Sequence, residues 1–311
     1  MGWLPPAAVG QHVGVTETAF QEPTRLVRRG DVELAVYESG DRSGPTVLMV
    51  HGWPDTHQLW GGVSGLLAED FHLVSYDVRG YGRSSRPEND EAYLLDELTA
   101  DLAAVAEAVS PGEPVHVLAH DWGSVQAWDA VCGPDAEMRY ASFVSISGPN
   151  VDHAGRWFRE GLGSPGRWPA MAAQMLSSTY VWGFVSPLGP VLMRRWTKER
   201  WERMLKRLEG IEPRAWHHAD TLVDDMVQGL ALYRANVLHR IGRPQERRTS
   251  VPVLQLVPTR DIAIRGASLR ESERWADRLE RTEVPFGHWL PLSHPQVVAA
   301  ELRRFVSSLP R

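Results

Sequence analysis

Two aspartates and one histidine stand where predicted strands end, and residues of these types can support nucleophilic catalysis. Asp121 lies in the stretch LAHDWGS, between the predicted strand VHVLAH and a predicted helix, with Ala119 and Gly123 two positions away on either side. So tight a turn strains the backbone of its central residue and leaves room only for small flanking residues. Asp261 follows the predicted strand PVLQLV, and His288 follows the last predicted strand. The pattern predicts a nucleophile at Asp121, with helix capping as the alternative role for that aspartate.

A carboxylate in a nucleophile's position has a specific chemical use. Its ordinary pKa of about 3.9 leaves it ionised at neutral pH, so it needs no base before it attacks. Attack of Asp121 on an sp3 carbon forms an ester that activated water can cleave, whereas a serine would form a stable ether. The residue therefore predicts alkyl transfer to the chain followed by hydrolysis, with epoxides and alkyl halides as substrates. His288 is the predicted base for that hydrolysis, and Asp261 is the residue predicted to orient it.

Two other residues compete for these roles. Asp152 follows the predicted strand YASFVSISG and is the alternative to Asp261 as the acid of the triad. His294 comes six residues after His288 and lies at the predicted start of the last helix. The order nucleophile, acid, histidine is the one expected for an α/β-hydrolase, and we expect Asp261 and His288 to be the partners of Asp121.

Strand and helix patterns alternate along the chain and predict the scaffold that positions these residues. The runs LAVYES, TVLMVHG, HLVSYDVRG, VHVLAH and YASFVSISG predict strands, and YLLDELTADLAAVAEAV between them predicts a helix. This alternation predicts an α/β fold, a mostly parallel central sheet covered by helices on both faces.

Residues 151–246 interrupt the alternation, since they contain helical patterns and no predicted strand. We expect them to form a helical lid inserted after the sixth strand, near the carboxyl ends of the strands where ligands bind. The core is then predicted at 25–150 and 247–311, behind a flexible leader at 1–24. Its last part is predicted to contain the helix SLRESERWADRL, the strand RTEVPF and the helix HPQVVAAELRRFVSSL.

Four short motifs, taken in order, resemble those of the epoxide hydrolases in the α/β-hydrolase superfamily. HGWP resembles their HGxP, DVRGYGRSS their DLRGYGxSS, AHDWGS their GHDWGA, and GHW their GHF or GHW. The chain also resembles the hydrolase half of an actinobacterial fusion that carries a short-chain dehydrogenase domain, and no such domain is expected within these 311 residues. The resemblance implies catalysis without a cofactor, with the backbone N–H groups of Trp53 and Trp122 holding an oxyanion formed at Asp121.

The leaving group distinguishes the two substrate classes. An epoxide opens to an alkoxide that needs a proton, for which a tyrosine hydroxyl is a suitable donor, whereas a halide needs N–H donors. The predicted lid has two tyrosines, Tyr180 in SSTY and Tyr233 in LALYRAN, and epoxide hydrolases resemble this with their SWY and YRA or YRN segments. SSTY lacks the tryptophan of SWY. We expect both tyrosines to be proton donors, the alternative being that they only pack helix faces.

The composition of the chain argues against nucleic-acid binding, membrane binding and secretion. The chain is 43% hydrophobic and has a formal net charge of −6, so it lacks the basic excess of a protein that binds nucleic acid or an anionic membrane. The first residues show no secretory signal, and a cytoplasmic protein is expected. The most apolar stretch, QMLSSTYVWGFVSPLGPVLM, contains two prolines and predicts a buried or substrate-facing part of the lid without stable membrane insertion. The arginine-rich MRRWTKERWERMLKRLE after it predicts a solvated lid helix.

A metal site and a disulfide are not expected. His217 and His218 are adjacent, so on a helix their side chains would point about 100° apart and would not form a site with Asp220. The single cysteine, Cys132, excludes an internal disulfide and is expected to be a buried structural thiol. No metal and no cofactor are therefore predicted.

The prediction is thus an epoxide hydrolase that converts a hydrophobic epoxide and water to a vicinal diol, as a monomer or a homodimer. The many lid tryptophans favour a bulky, apolar substrate. A haloalkane dehalogenase with the same triad is the first alternative, because the indole N–H groups of Trp53 and Trp122 can hold a halide. A non-catalytic ligand-binding protein on the same scaffold is the second.

Overall fold

The computed structural model describes residues 22–214 and 217–310, which form one eight-stranded sheet and the helices packed on it. The strands are β1 (Arg25–Arg29), β2 (Val32–Gly40), β3 (Thr46–Val50), β4 (His72–Tyr76), β5 (Val115–His120), β6 (Tyr140–Ile146), β7 (Val253–Pro258) and β8 (Leu279–Val284). Their order in the sheet is β1-β2-β4-β3-β5-β6-β7-β8. β1, β2 and β4 pair antiparallel, and all pairs from β4 to β8 are parallel. The predicted α/β fold with a mostly parallel sheet is confirmed.

Thirteen helices are found in the described residues. They are α1 (Gly61–Leu67), α2 (Leu95–Val109), α3 (Trp122–Val131), α4 (Val151–Gly161), α5 (Trp168–Ser177), α6 (Thr179–Val185), α7 (Gly189–Met193), α8 (Lys198–Glu209), α9 (Leu222–Gln228), α10 (Leu230–Gly242), α11 (Gly266–Leu269), α12 (Leu290–Ser293) and α13 (Pro295–Ser307). In α2, Leu95, Leu98, Leu102 and Val105 recur at three- and four-residue spacing and are all buried, which is the pattern of a helix with one face on a core.

The core consists of two apolar clusters. In one, Leu102 of α2 and Trp128 of α3 pack with Val117 of β5. In the other, Phe305 of α13 packs with Leu118, the next residue of β5. Successive strand residues point to opposite faces, so helices cover both sides of the sheet. A sheet buried in this way exposes its strand ends, and the site residues described below lie there.

The strand β1 was not among the predicted strands. Its sequence RLVRR has three arginines, and only Val27 is buried. Arg25 pairs with Glu38 at 2.7 Å and Arg29 with Asp101 at 2.7 Å. An antiparallel edge strand needs little apolar surface, which explains why hydrophobic patterning did not reveal it. Residues 1–21 of the predicted leader lie outside the described residues.

The segment between β6 and β7 contains α4 to α10 in the described residues. It is called here the lid segment, residues 151–246. It contacts the loop after β3, because the ring of Trp53 lies 4.7 Å from that of Phe184 and 6.4 Å from that of Tyr233. Parallel strands end at this edge of the sheet, so the lid segment packs where the predicted nucleophile lies.

The predicted helix over SLRESERWADRL is wrong. The structure has only the short α11, followed by a 3₁₀ turn at Arg270–Arg274. Ala276 then forms a bridge with Thr249 in the manner of parallel strands. That pairing requires extended backbone, so the helical pattern of the sequence gives way to a tertiary contact.

The apolar stretch at 174–193 is only partly buried, so its prediction is partly wrong. Tyr180 and Phe184 pack inward against the core cluster. Leu176, Trp182 and Leu188 are instead 72%, 66% and 65% exposed. None of the described helices has the length and apolar composition needed to cross a membrane.

Candidate active site

Asp121 occupies the turn between β5 and α3 in a backbone conformation that few side-chain-bearing residues adopt. Its φ is 50° and its ψ is −123°, outside the common helical and extended regions. A side chain at Gly123 would collide with the backbone oxygens of Val50 and His51 at the end of β3. The glycine therefore allows the turn to lie against the neighbouring strand. The Asp121 side chain does not cap α3, so its carboxylate is free for other contacts.

Two backbone N–H groups meet the carboxylate of Asp121. Trp53 N donates to Asp121 Oδ1 over 2.8 Å, and the N–H of Trp122 also hydrogen-bonds this carboxylate. Trp53 follows β3 and Trp122 begins α3, so two adjacent elements supply the donors. Fixed backbone donors can stabilise a negative oxygen without having to reorganise. The structure thus brings together the groups predicted to form an oxyanion site.

His288 lies between the two aspartates. Its Nδ1 is 2.9 Å from Asp261 Oδ2, and its Nε2 is 3.7 Å from Asp121 Oδ2. The other oxygen of Asp261 accepts hydrogen bonds from the backbone of Ala263 at 2.7 Å and of Ile264 at 2.9 Å. These bonds hold Asp261 in place, and Asp261 in turn directs Nε2 of the imidazole at Asp121.

Charges within this group shift its pKa values. Burial opposes protonation of His288, but the charge and hydrogen bond of Asp261, with the charges of Asp121 and Glu209, raise its pKa to about 9. Burial raises the pKa of Asp121, and His288 and the backbone donors oppose that rise. Burial also opposes ionisation of Asp261, yet His288 holds the pKa of that carboxyl below its ordinary value. As long as Asp121 carries its negative charge, the imidazole of His288 is therefore cationic at neutral pH.

Tyr180 of α6 and Tyr233 of α10 lie together beside Asp121. Their ring centroids are 6.2 Å apart, and their side chains are hydrogen-bonded. Burial raises the pKa of both hydroxyls, and the negative charge of Asp121 raises both further. Both groups therefore keep their protons at neutral pH and remain able to donate them.

The indole N–H groups of the two tryptophans already have acceptors. Trp53 Nε1 donates to the backbone oxygen of Met226 over 3.0 Å. The side chain of Trp122 is hydrogen-bonded to Tyr233, which lowers the pKa of that hydroxyl against the larger effect of burial. The rings of Trp53, Phe184 and Tyr233 form an aromatic wall next to the carboxylate. The surroundings of the Asp121 carboxylate are thus mostly apolar, with a few convergent polar groups.

Residues 45–295 match the family described as alpha/beta hydrolase fold. The chain belongs to this family. The prediction of an α/β-hydrolase fold is thereby confirmed.

Individual relatives of this α/β-hydrolase include longer proteins. The chain is 40% identical over 295 residues to "Probable oxidoreductase EphD" of Mycobacterium bovis, an alignment that covers 92% of this chain and 50% of the relative. It is 24% identical over 315 residues to "Epoxide hydrolase 3" of Mus musculus, covering 97% of this chain and 80% of the relative. The chain thus spans about half the length of the EphD relatives, which agrees with the predicted resemblance to one half of a fusion.

Solved structures show the same fold. An epoxide hydrolase of Bacillus megaterium in complex with an inhibitor superposes with a TM-score of 0.75 at 20% identity, covering 91% of this chain and 100% of that chain. One of the novel epoxide hydrolases from metagenomes of hot environments superposes with a TM-score of 0.74 at 22% identity, covering 93% of this chain and 100% of the other. At such identities the likeness concerns the fold.

The alternative acid, Asp152, is engaged elsewhere in this α/β-hydrolase. Arg240 donates to its Oδ2, and the backbone of Gln245 donates to its Oδ1 over 2.9 Å. Arg240 also reaches Asp129 at 2.7 Å. Asp152 therefore links the beginning of the lid segment to its end. The carboxylate that contacts the imidazole of His288 is that of Asp261. His294 precedes α13, and its ring stacks on that of Phe286 with centroids 3.7 Å apart.

Two carboxylates near the histidine were not predicted. Glu209, the last residue of α8, accepts from the backbone N–H of His288 over 3.0 Å and also from that of Trp289. Asp55 Oδ2 accepts from Trp289 Nε1 over 3.1 Å, and burial raises the pKa of Asp55 to about 7. Asp55 directly follows the motif HGWP, so its place in the sequence could have pointed to it, whereas the sequence around Glu209 gives no such signal.

Within the described residues, no three His, Cys, Asp or Glu side chains are grouped closely enough to hold a metal ion. His218 Nε2 accepts from Trp201 Nε1 over 3.1 Å, inside the lid segment. Cys132 directly follows α3 and is half-buried, so the prediction of a buried thiol is only partly right. Desolvation raises the pKa of its thiol to about 12.

Proposed function

We propose that the chain is an epoxide hydrolase that converts an apolar epoxide to a vicinal diol through an ester on Asp121. The observation that carries this proposal is the pair Tyr180 and Tyr233, one partly buried and one buried. Their protonated hydroxyls lie beside the Asp121 carboxylate, which backbone donors hold in a strained turn. Several relatives and structural neighbours are named as epoxide hydrolases, which supports the proposal.

In the first step, Asp121 attacks an oxirane carbon and the C–O bond of the ring breaks. Trp53 N–H holds Oδ1, so Oδ2, on the side of His288, is the oxygen that forms the ester bond. The departing oxygen takes a proton from Tyr180 or Tyr233, which prevents the build-up of an alkoxide. The product of this step is a 2-hydroxyalkyl ester of the enzyme.

In the second step, water hydrolyses that ester. Esterification removes the negative charge of Asp121, one of the charges that raise the pKa of His288. The imidazolium then returns its proton to the tyrosinate left by the first step, and the neutral imidazole can accept a proton from the attacking water, while Asp261 stabilises the cation that results. Hydroxide adds to the carboxyl carbon of Asp121, the N–H groups of Trp53 and Trp122 hold the oxyanion, and the diol leaves with restoration of the carboxylate.

The dehalogenase alternative has less support. A halide site on Trp53 and Trp122 would need their indole N–H groups, and these contact Met226 O and Tyr233. Release of halide from haloalkanes at a rate comparable to epoxide opening would favour that alternative. A ligand-binding protein, in contrast, would retain an epoxide unchanged.

Trapping of the ester tests the proposal directly. The variant His288→Gln should react with an epoxide and stop at the ester, because no base activates water. The intact protein should gain the mass of the epoxide, and peptide mapping should place it on Asp121. Asp121→Asn with His288→Gln is the matched control and should gain nothing. Turnover of an epoxide panel without any ester on the enzyme would contradict the mechanism.

A further inference from the structure

The lid segment carries an apolar surface with no charged residue in it. From Trp168 to Met193 the sequence has no Asp, Glu, Lys, Arg or His, although much of this stretch is exposed. The surface, called here the apolar patch, comprises six side chains that are 45% to 72% exposed: Met175, Leu176, Trp182, Leu188, Val191 and Leu192. Isolated exposed apolar residues are ordinary, but this many in one uncharged stretch indicate a surface that meets a partner.

Three consecutive helices form this patch. α5 packs against α6 and α6 against α7, while Met171, Phe184 and Gly189 of these helices are buried beneath. The helices are therefore apolar on their inner and outer sides, and a helix of that kind is stable when both sides are covered. The core covers only the inner side.

A positively charged groove continues from the patch along the chain. Exposed Arg194 and Arg195 follow Leu192 almost directly, and a groove of about 870 Å³ is lined by cations and apolar side chains but by no carboxylate. Its cations are Arg195, Arg200, Arg203, Lys206 and Arg207. Among the described residues, Lys206 forms an ion pair with Glu212 at 2.8 Å, whereas the four arginines form no ion pair within 4 Å, although Arg203 interacts electrostatically with Glu199.

The net charge of the segment that forms the groove is opposite in sign to that of the whole chain. Residues 194–209 contain seven basic and three acidic residues, while the whole sequence has a formal net charge of −6. The predicted absence of an anionic-membrane footprint rested on that whole-chain value. An arginine-rich groove that follows, along the chain, helices with exposed Trp182 and Leu188 has the composition of a surface helix at an anionic bilayer.

We propose that the apolar patch and the adjoining groove dock this protein on the surface of an anionic lipid bilayer. The indole and aliphatic side chains of the patch enter the boundary between headgroups and acyl chains, and the guanidinium groups bind lipid phosphates. A second copy of the chain fits less well, since a two-fold contact through this surface would bring the two cationic grooves together. The proposal concerns attachment alone and does not depend on the reaction catalysed.

Vesicle flotation of the full chain tests this docking. Binding is expected to vesicles of phosphatidylcholine mixed with phosphatidylglycerol, and it should weaken at high salt or with phosphatidylcholine alone. Arg203→Gln with Arg207→Gln should reduce the partition coefficient about tenfold or more, because each cation near an anionic surface adds to binding. Leu176→Gln with Leu192→Gln should reduce it by a similar factor through loss of apolar contact.

Matched variants outside the lid segment control for charge, hydropathy and folding. Arg28→Gln with Arg42→Gln removes the same charge, and Leu26→Gln with Met138→Gln removes exposed apolar side chains elsewhere. Both should bind as the wild type does, with all four variants retaining the wild-type thermal transition. No flotation with anionic vesicles, or equal binding by patch and control variants, overturns the proposal. So does a dimer in sedimentation velocity that the Leu176 and Leu192 changes abolish, because a second copy would then cover the patch.

Discussion

The imidazole Nε2 of His288 lies 3.7 Å from the carboxylate Oδ2 of Asp121. With the imidazole charged, the two groups form an ion pair, and the base of the proposed second step is protonated before the first step occurs. When Asp121 loses its charge, the pKa of His288 falls. His288 can therefore be the ion-pair partner of Asp121 in the first step and the base in the second.

The pKa of His288 should therefore fall when Asp121 loses its charge. Asp121→Asn mimics the esterified state, and the titration midpoint of His288 should move from about 9 toward lower pH. Nuclear magnetic resonance of the labelled imidazole measures both midpoints. In single-turnover experiments, ester hydrolysis should rise with pH and level off below pH 9, since the neutral imidazole is the base. An unchanged midpoint in Asp121→Asn would mean that the carboxylate does not control the base.

Tyr233→Phe should slow ester formation and leave ester hydrolysis nearly unchanged. Proton donation by a positioned side chain accelerates a step about 10²- to 10⁴-fold, and a loss in that range is expected for the alkylation rate. Stopped-flow measurement of the intermediate separates the two steps, and Tyr180→Phe tests the second donor in the same way. Tyr140→Phe, a change at the beginning of β6, is the control. Alkylation at the wild-type rate in Tyr233→Phe would remove that residue from the mechanism.

Glu209→Gln should weaken the hold of the lid segment on the histidine loop. The carboxylate of Glu209 accepts from the backbone N–H groups of His288 and Trp289, and its charge is one of those that raise the pKa of His288. We expect a lower His288 pKa. At a pH where the imidazole is neutral in both proteins, ester hydrolysis should be slower and the alkyl-enzyme should accumulate, because the histidine loop is held less firmly, while alkylation stays at the wild-type rate. Glu212→Gln changes a nearby exposed carboxylate that pairs with Lys206 and serves as the control. A Glu209 variant that loses thermal stability but keeps the His288 pKa would have a structural role only.

Local patterns predicted the parts of the fold that local sequence determines. The parallel strands were visible as short apolar runs, and the turn at Asp121 was visible because a small residue stands two positions away on each side. The order Asp121, Asp261, His288 in the chain also corresponds to three residues in contact. These features depend on residues close in sequence or on a fixed strand order.

Features that depend on distant contacts were not predicted. The helical pattern of SLRESERWADRL yielded to the pairing of Ala276 with Thr249, and Glu209 reaches His288 across 79 residues of sequence. Net charge summed over the chain concealed the cationic groove next to the apolar patch. In each case the deciding partner lies on another element, and its position is a property of the folded chain.

The two candidate acids should respond differently to the same substitution. Asp261→Asn should reduce kcat about 10⁴-fold, because an amide favours the wrong tautomer of His288 and does not stabilise its cation. Asp152→Asn should leave kcat near the wild-type value and lower the free energy of unfolding by about 3 kcal/mol, because it breaks a buried ion pair with Arg240. Denaturant unfolding and steady-state kinetics on both variants measure the two quantities. If Asp152→Asn were the variant that accumulated the ester, the acid would be Asp152, and the contact between Asp261 and His288 would serve only to hold the loop.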